Sequence, residues 1–350
     1  MKFLITGAAG FVGRNLVDLL VRDGSHEIVA TDKVDPAGFS DSMKQVKFLR
    51  ADICNREQLE SIFQSAQPEI VLHLAAESHV DKSIESPNVF IESNVTGTFQ
   101  LLETARRYLN KNSSKLSTFR FHHVSTDEVY GSLGPDDLPF TESSSYNPRS
   151  PYSASKAASD HLVRSWFHTF EIPITVSSSS NNYGPWQLPE KLIPAVILNA
   201  INGNRIQVYG NGQNVRDWIH VSDHASAIVE VATKGIAGET YNVGASNELM
   251  NIQVVKQICH VLDELLPPQF KHIKIQNYAE LIEFVEDRPG HDKRYALNTC
   301  KIKNCLGWEP AKDFQQGLRQ TVMWYLENEE WWQAILQGGF TLRRQGLIRK

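Results

Sequence analysis

The sequence predicts an α/β fold, a doubly wound parallel sheet with a smaller, interleaved α/β lobe, on three observations. Short apolar runs alternate with stretches of helical spacing through the first half of the chain, the rhythm of a parallel sheet covered on both faces. A glycine-rich turn joins the first such run to the first helix. After Asn181-Asn182-Tyr183-Gly184-Pro185 the rhythm loosens, and Pro189, Pro194, Gly203, Gly210 and Gly212 cut the chain into shorter pieces.

The elements follow in order. Residues 2–6 are an apolar run ending in Gly7-Ala8-Ala9-Gly10-Phe11-Val12-Gly13, and residues 15–21 take up helical spacing. Residues 27–31 read as a second strand closed by Asp32, and residues 45–49 as a third. Asp52-Ile53 comes next, then a helix over 59–63 and a fourth strand over 69–74 that runs into Ala75-Ala76-Glu77-Ser78. One long helix is expected over 90–109 and a fifth strand over 119–124. Residues 131–151 are rich in Ser, Pro, Asp and Gly, a surface excursion. A helix over 152–170 and a strand over 174–178 follow.

Composition narrows the function classes. The 350 residues are 41% hydrophobic and 21% charged, ordinary for a globular protein able to bury a core. A net charge of −5 argues against a general nucleic-acid binder. Cys54, Cys259, Cys300 and Cys305 have no spacing of a zinc site or disulfide framework, so reduced thiols and no metal are expected. The apolar start is broken by glycines and continues into Arg14, Asp18 and Arg22, unlike a signal peptide. No apolar run reaches the roughly 20 residues that span a bilayer, so no membrane partner and a cytoplasmic location are expected. Residues 338–350, with Arg343, Arg344, Arg349 and Lys350, read as a solvated tail.

Gly7, Gly10 and Gly13 between a strand and a helix form a Rossmann-type dinucleotide turn, in which a pyrophosphate meets backbone and a helix N-terminus. The acid expected at the end of the second strand is Asp32. It can accept from an adenosine ribose and would repel a 2′-phosphate, which favours NAD, while Lys33 beside it would attract one. Asp52 reads equally as an adenine-side residue and as a helix cap. Residues 1–180 and 214–245 are expected to form the NAD-binding domain, and 181–213 with 246–350 the substrate lobe.

Proton-handling groups cluster in Val124-Ser125-Thr126-Asp127-Glu128-Val129-Tyr130-Gly131 and Tyr152-Ser153-Ala154-Ser155-Lys156. Tyr152 and Lys156 share a helix face, and the ammonium is expected to lower the phenol's pKa from about 10. Asp127 and Glu128 follow a strand whose carboxyl end faces the ligand crevice. Paired carboxyl groups there can be driven apart in pKa to serve as acid and base, which suggests elimination of water in addition to redox chemistry.

These residues resemble the dTDP-glucose 4,6-dehydratases of the extended short-chain dehydrogenase/reductase group. The resemblance is carried by Thr6 to Gly13, Leu74-Ala75-Ala76-Glu77-Ser78-His79-Val80-Asp81, Ser125 to Gly131, Tyr152 to Lys156 and Asn181 to Pro185. Pro189-Glu190-Lys191-Leu192-Ile193-Pro194, Arg216-Asp217-Trp218 and Asp287-Arg288-Pro289-Gly290-His291-Asp292 extend it, so that it covers the chain from Met1 to about Tyr325.

The resemblance implies a three-stage reaction on dTDP-glucose with NAD regenerated. Tyr152 would take the C4 hydroxyl proton as hydride leaves C4, with Thr126 bonded to that oxygen. Glu128 would remove the C5 proton, Asp127 would protonate the departing C6 hydroxyl, and hydride would return to C6. Phe11, Val12, Asp32, Lys33, Asp52, Ile53, Leu74, Ala75, Ala76, Ser93, Tyr152, Lys156 and Asn182 would surround NAD. Ser78, Asn181, Lys191, Leu192, Gln207, Val208, Tyr209, Arg216, Asn251, Asp287, Arg288, Pro289, Gly290 and His291 would line the nucleotide-sugar side. Lys191, Arg216 and Arg288 suit a diphosphate, and Tyr209 offers a ring face to the base. A homodimer through residues 90–109 and 152–170 is also implied. Sibling readings remain open at this stage: a CDP-, GDP- or UDP-hexose dehydratase, a 4-epimerase, a decarboxylase, or an NAD-binding regulator without activity.

Overall fold

The computed structural model describes residues 1–35, 40–267, 274–340 and 342. Arg343, Arg344, Arg349 and Lys350 of the expected tail lie outside the described residues. The central sheet is built from β1 (Lys2–Thr6), β2 (Glu27–Asp32), β3 (Lys47–Arg50), β4 (Ile70–His73), β5 (Arg120–Thr126) and β6 (Ile174–Ser179). Outside it lie β7 (Asn181–Tyr183), β8 (Ile206–Tyr209) and β9 (Val215–His220); β10 (Thr240–Val243) returns to it, followed by β11 (Glu248–Met250) and β12 (Ile282–Val285). Seven strands run in the order β10-β6-β5-β4-β1-β2-β3, every pair parallel.

The winding reverses between β1 and β4, and their carboxyl ends open the crevice where an open parallel sheet takes a ligand. Strands β4 and β6 are buried at every position, as two covered faces require.

The helices are α1 (Phe11–Asp23), α2 (Arg56–Ala66), α3 (Val80–Glu85), α4 (Pro87–Phe90), α5 (Thr98–Lys111), α6 (Pro151–Phe170), α7 (Leu192–Ile201), α8 (Val221–Lys234), α9 (Asn251–Leu265), α10 (Cys300–Leu306), α11 (Phe314–Glu327) and α12 (Glu329–Gln337). Leu59 and Phe63 of α2, Leu101 and Leu102 of α5 and Val163 of α6 cover one face of the sheet. Leu16, Val17 and Leu20 of α1, with Ala225 and Ile228 of α8, cover the other. A second core forms beyond the sheet from α7, α9 and α11, where Ile197, Val254, Ile258, Leu318 and Val322 meet. The three-stranded sheet β11-β9-β7 and the pair β12-β8 flank it.

The single helix expected over 90–109 is corrected by the structure. Residues Ile91–Gly97 form a π-helical turn between α4 and α5. Gly97 sits against Ile53, whose Cδ1 lies where a Cβ would point. The wider turn carries Asn94 inward, where its Oδ1 accepts from Glu77 N at 2.8 Å and its Nδ2 donates to Ser155 Oγ at 2.9 Å. Such bulges gather at functional sites, and this one ties the β4 exit to α6.

Buried histidines line the sheet. His122 bridges Thr175 and Ser177 on β6, and His224 meets Asn182 Oδ1 at 2.8 Å. Burial pushes His122 and His224 down to about 3 and His123 to about 4, so all three stay neutral in the folded state. Unfolded histidine takes its proton near pH 6.5, so this stability is complete above that pH and is lost as pH falls toward 4 and below. The thermal unfolding midpoint is therefore expected to drop between about pH 7 and about pH 5, and His122→Gln to flatten that slope. A midpoint constant over the range contradicts it.

Candidate active site

The nucleotide cradle is set by backbone geometry. Gly7 turns at φ +73°, a left-handed value that favours glycine, and a Cβ on Gly13 would strike the Gly7 carbonyl. Gly10 is the N-cap of α1 and its N–H donates to Gly7 O at 3.1 Å. No side chain caps this 13-residue helix, so its first-turn amides, starting with Phe11 and Val12, are left for an anion. Asp32 Oδ2 accepts from Ala9 N at 3.1 Å, which pins the turn to the end of β2. Burial raises the Asp32 pKa, while the backbone amides of Val34 and Ala9 oppose that rise. Lys33 is turned away onto Glu77 in an ion pair, so its charge is engaged. Asp52 caps no helix: it accepts from Cys54 N at 2.8 Å, and Asn55 is the N-cap of α2.

Leu74, Ala75 and Ala76 leave β4 beside the turn, with Ala75 N donating to Thr6 Oγ1 at 3.3 Å. Ser93 is half-buried in the π-helical turn. Asn182 on β7 gives its amide to Ser179 and Ser180 and its oxygen to His224, so it braces the crevice wall. The cradle therefore fits a dinucleotide: tight glycines, an uncapped helix start and an acid at the end of β2.

At the end of β5, Thr126 Oγ1 accepts from Glu128 N at 3.3 Å and donates to Asp127 Oδ1 at 3.3 Å. Asp127 is buried and its Oδ2 has no hydrogen-bond partner among the described residues. Its pKa is held well above the usual carboxylate range, first by burial and then by the charge of Glu128, against Arg216. Burial also raises Glu128, but three cations oppose it: Arg288, Arg216 and Lys191. Both are raised but unequally: Asp127 is held well above its ordinary value, while three cations limit the rise at Glu128.

The expected depression of the Tyr152 pKa is corrected. Burial raises it, Glu128 adds to the rise, and the hydrogen bond with Thr126 opposes it. Lys156 directs its Nζ to Val124 O at 2.8 Å and to His123 Nε2 at 3.4 Å, and burial lowers its own pKa to about 8. Behind it, His123 Nε2 lies 3.2 Å from Asp160 Oδ1, while Ser125 and Tyr146 donate to Asp160 Oδ2.

A cavity of about 250 Å³ opens beside Glu128. Of the expected substrate residues, Ser78, Asn181, Lys191, Leu192, Gln207, Val208, Tyr209, Arg216, Asn251, Arg288 and His291 line it. Thr126, Asp287, Pro289 and Gly290 do not, although Asp287 holds His291 Nδ1 at 2.6 Å and Arg288 N at 2.8 Å. Lys191 Nζ donates to Ser78 O at 2.7 Å. Arg216 donates to the Asp292 carbonyl at 2.9 Å and lies 4.3 Å over the Tyr295 ring. Asp81, Tyr295, Asn94 and Asp160 are contributors that the motifs did not single out; only the three-dimensional contacts give them a part.

Comparison with known proteins adds to this geometry. The family profile described as GDP-mannose 4,6 dehydratase matches residues 4–321. The chain is 50% identical over 363 residues to a curated dTDP-glucose 4,6-dehydratase from Escherichia coli, covering 99% of this chain and 100% of that one. It resembles the crystal structure of dTDP-glucose 4,6-dehydratase from Bacillus anthracis in complex with NAD, at TM-score 0.81 and 40% identity over 95% of this chain and 99% of that chain. It also resembles dTDP-glucose 4,6-dehydratase from Streptomyces venezuelae with NAD and TYD bound, at TM-score 0.83 and 38% identity over the same shares, 95% and 99%.

The buried Asp127 costs stability. Above about pH 4 the unfolded chain releases a proton that the folded chain retains, so stability falls as pH rises toward the raised folded value. Asp127→Asn is expected to raise the unfolding free energy by about 1–2 kcal/mol at about pH 8, with a smaller gain at about pH 5. Denaturant titration at the two pH values measures it; a loss of stability, or an equal gain at both, contradicts it.

Proposed function

The chain belongs to the GDP-mannose 4,6-dehydratase family and, within it, to the dTDP-glucose 4,6-dehydratases, and on that premise we propose how its residues divide the reaction. It converts dTDP-glucose to dTDP-4-keto-6-deoxy-glucose with NAD, as a hydro-lyase. A bound NAD would supply the redox chemistry, as acceptor of the C4 hydride and its donor to C6, and would bring positive charge to the site.

The chain handles three protons. Tyr152 accepts the C4 hydroxyl proton while Thr126 holds the same oxygen. Burial raises the pKa of Tyr152, so the phenol must first release its own proton before it can take the one from C4; positive charge from Lys156 and a bound cofactor would favour that phenolate. The new C4 ketone acidifies C5–H, and Glu128, facing the cavity under three cations, removes that proton. Asp127, still protonated because it is buried beside Glu128, gives its proton to the leaving C6 hydroxyl, and water departs. The observation that carries this reading is the unequal setting of the two adjacent carboxyl groups; a 4-epimerase has no water to eliminate and no need of the pair.

Gly7, Gly10, Phe11, Val12 and Gly13 receive the pyrophosphate of NAD, Asp32 the adenosine ribose, and Lys156 the nicotinamide ribose. Lys191, Arg216 and Arg288 hold the substrate diphosphate and Tyr209 stacks on thymine. The second core around α7, α9 and α11 supports assigning residues 181–213 and 246–350 to the nucleotide-sugar lobe. Ile91, Phe99 and Phe170 are exposed apolar side chains near and along α5 and α6, which supports a homodimer through those helices. We place the reaction in the cytoplasm, where NAD and nucleotide sugars are at hand.

Purified protein given dTDP-glucose is expected to form a product whose alkaline ultraviolet absorbance reports a 4-keto sugar, without net consumption of NAD. In a panel of nucleotide sugars, turnover confined to CDP-, GDP- or UDP-sugars would sink the substrate assignment. Glu128→Gln is expected to lower turnover by about 10²–10⁴-fold and to accumulate reduced nicotinamide with no solvent deuterium at C5. Unimpaired exchange at C5 removes Glu128 as the base. Phe99→Asp is expected to give a monomer in light scattering, and an unchanged mass argues against this interface.

A further inference from the structure

Two side chains that line the sugar-side cavity end on one carboxylate that touches no reacting group. Arg288 Nη1 donates to Asp81 Oδ1 at 2.8 Å, and Tyr209 OH donates to Asp81 Oδ2 at 2.9 Å. Asp81 is 7% exposed, and the Arg288 side chain 15%. The three residues come from distant parts of the chain. Asp81 stands in the first turn of α3, just beyond β4 of the large sheet, Tyr209 ends β8, and Arg288 follows β12. The next residue, Lys82, pairs with Glu190 at 2.6 Å, so α3 also braces the segment that carries Lys191.

The physical need is plain. Arg288 shares its cavity with Arg216 and Lys191, and three like charges in one pocket repel. A flexible arginine would turn toward solvent or toward Glu128 unless an acid fixed it. Asp81 holds one arm of the guanidinium fork, and Arg288 Nε is buried with no hydrogen-bond partner among the described residues. A guanidinium held on one arm keeps a planar edge for paired phosphate oxygens.

We propose that Asp81 is a positioning residue for the substrate diphosphate: by accepting from Arg288 and Tyr209 it presets both across the cleft before the nucleotide sugar arrives. This rests on the reading of the cavity as the dTDP-glucose site. The carboxylate acts through Arg288 and takes no part in the proton transfers, so its effect falls on binding. Preset groups lose less conformational freedom when ligand binds, which is where the affinity comes from.

The test uses the full chain, with dTDP as the calorimetric probe and dTDP-glucose for kinetics. Asp81→Asn is isosteric, removes the charge and replaces one of the two acceptor oxygens with a donor; it is expected to raise KM and weaken dTDP binding by about tenfold, with kcat within about twofold of wild type. Tyr209→Phe, which deletes the neutral contact, is expected to weaken dTDP less than Asp81→Asn. In Arg288→Gln, adding Asp81→Asn is expected to change dTDP affinity by less than about twofold, because the two act as one unit. Additive losses in that double variant overturn the proposal, as does a fall in kcat with KM and dTDP affinity unchanged. Wild-type protein that takes up no dTDP overturns the cavity reading together with it. Wild-type protein that binds dTDP no better than Asp81→Asn overturns the role of Asp81 alone.

Discussion

Two adjacent carboxyl groups in a dry crevice cannot both be ionised unless cations share the crevice with them. Asp127 and Glu128 sit under that constraint, and the surrounding structure answers it unevenly. Glu128 points into the cavity that holds Lys191, Arg216 and Arg288. Asp127 is buried with one oxygen unpartnered among the described residues, and its strongest electrical neighbour after burial is Glu128 itself. A residue with a proton to give and a residue able to take one thus stand next to each other in the chain. The chain beyond β6 supplies this asymmetry, since all three cations belong to segments that follow it.

The large sheet supplies the other half of the chemistry. The β5 exit delivers Thr126 to Tyr152, and α6 brings Lys156 onto the Val124 carbonyl. Behind these groups Asp160 collects His123 at Oδ1 and the hydroxyls of Ser125 and Tyr146 at Oδ2. Desolvation pushes its pKa up, but the hydrogen bonds of His123 and Ser125 and the nearby charge of Lys156 outweigh that and lower it. The floor of the site is therefore a buried polar network of Asp160, His123, Ser125, Tyr146 and Lys156 within an apolar sheet.

Much of this was legible in the chain, because local pattern carries it. The glycine turn needs Gly7 and Gly13 for reasons that spacing expresses directly, and Asp32 falls where the second strand ends. The Tyr152–Lys156 spacing and the Asp127-Glu128 pair single out the groups that we propose as proton handlers. Other features were not legible. The break at Ile91–Gly97 depends on Gly97 meeting Ile53 and Asn94 reaching Ser155, contacts between residues far apart in sequence. The raised phenol pKa of Tyr152 depends on burial, and no i, i+4 spacing reports that. Asp81 looked like one letter of a motif until Arg288 and Tyr209 arrived at its two oxygens.

The sequence by itself determined which groups could move protons, which turn could cradle a dinucleotide and which kind of sheet would carry them. Those properties follow from residue type and short-range spacing, and they survive without any long-range contact. Tertiary structure decided the setting of each group: Asp127 raised well above its ordinary pKa, the rise at Glu128 limited by three cations, Lys33 engaged with Glu77, Arg288 held by Asp81. Charge state depends on desolvation and on neighbours a few ångströms away, and those neighbours come from both lobes of the chain. The opening pair of acids is thus written in the sequence, while its division of labour is written in the fold.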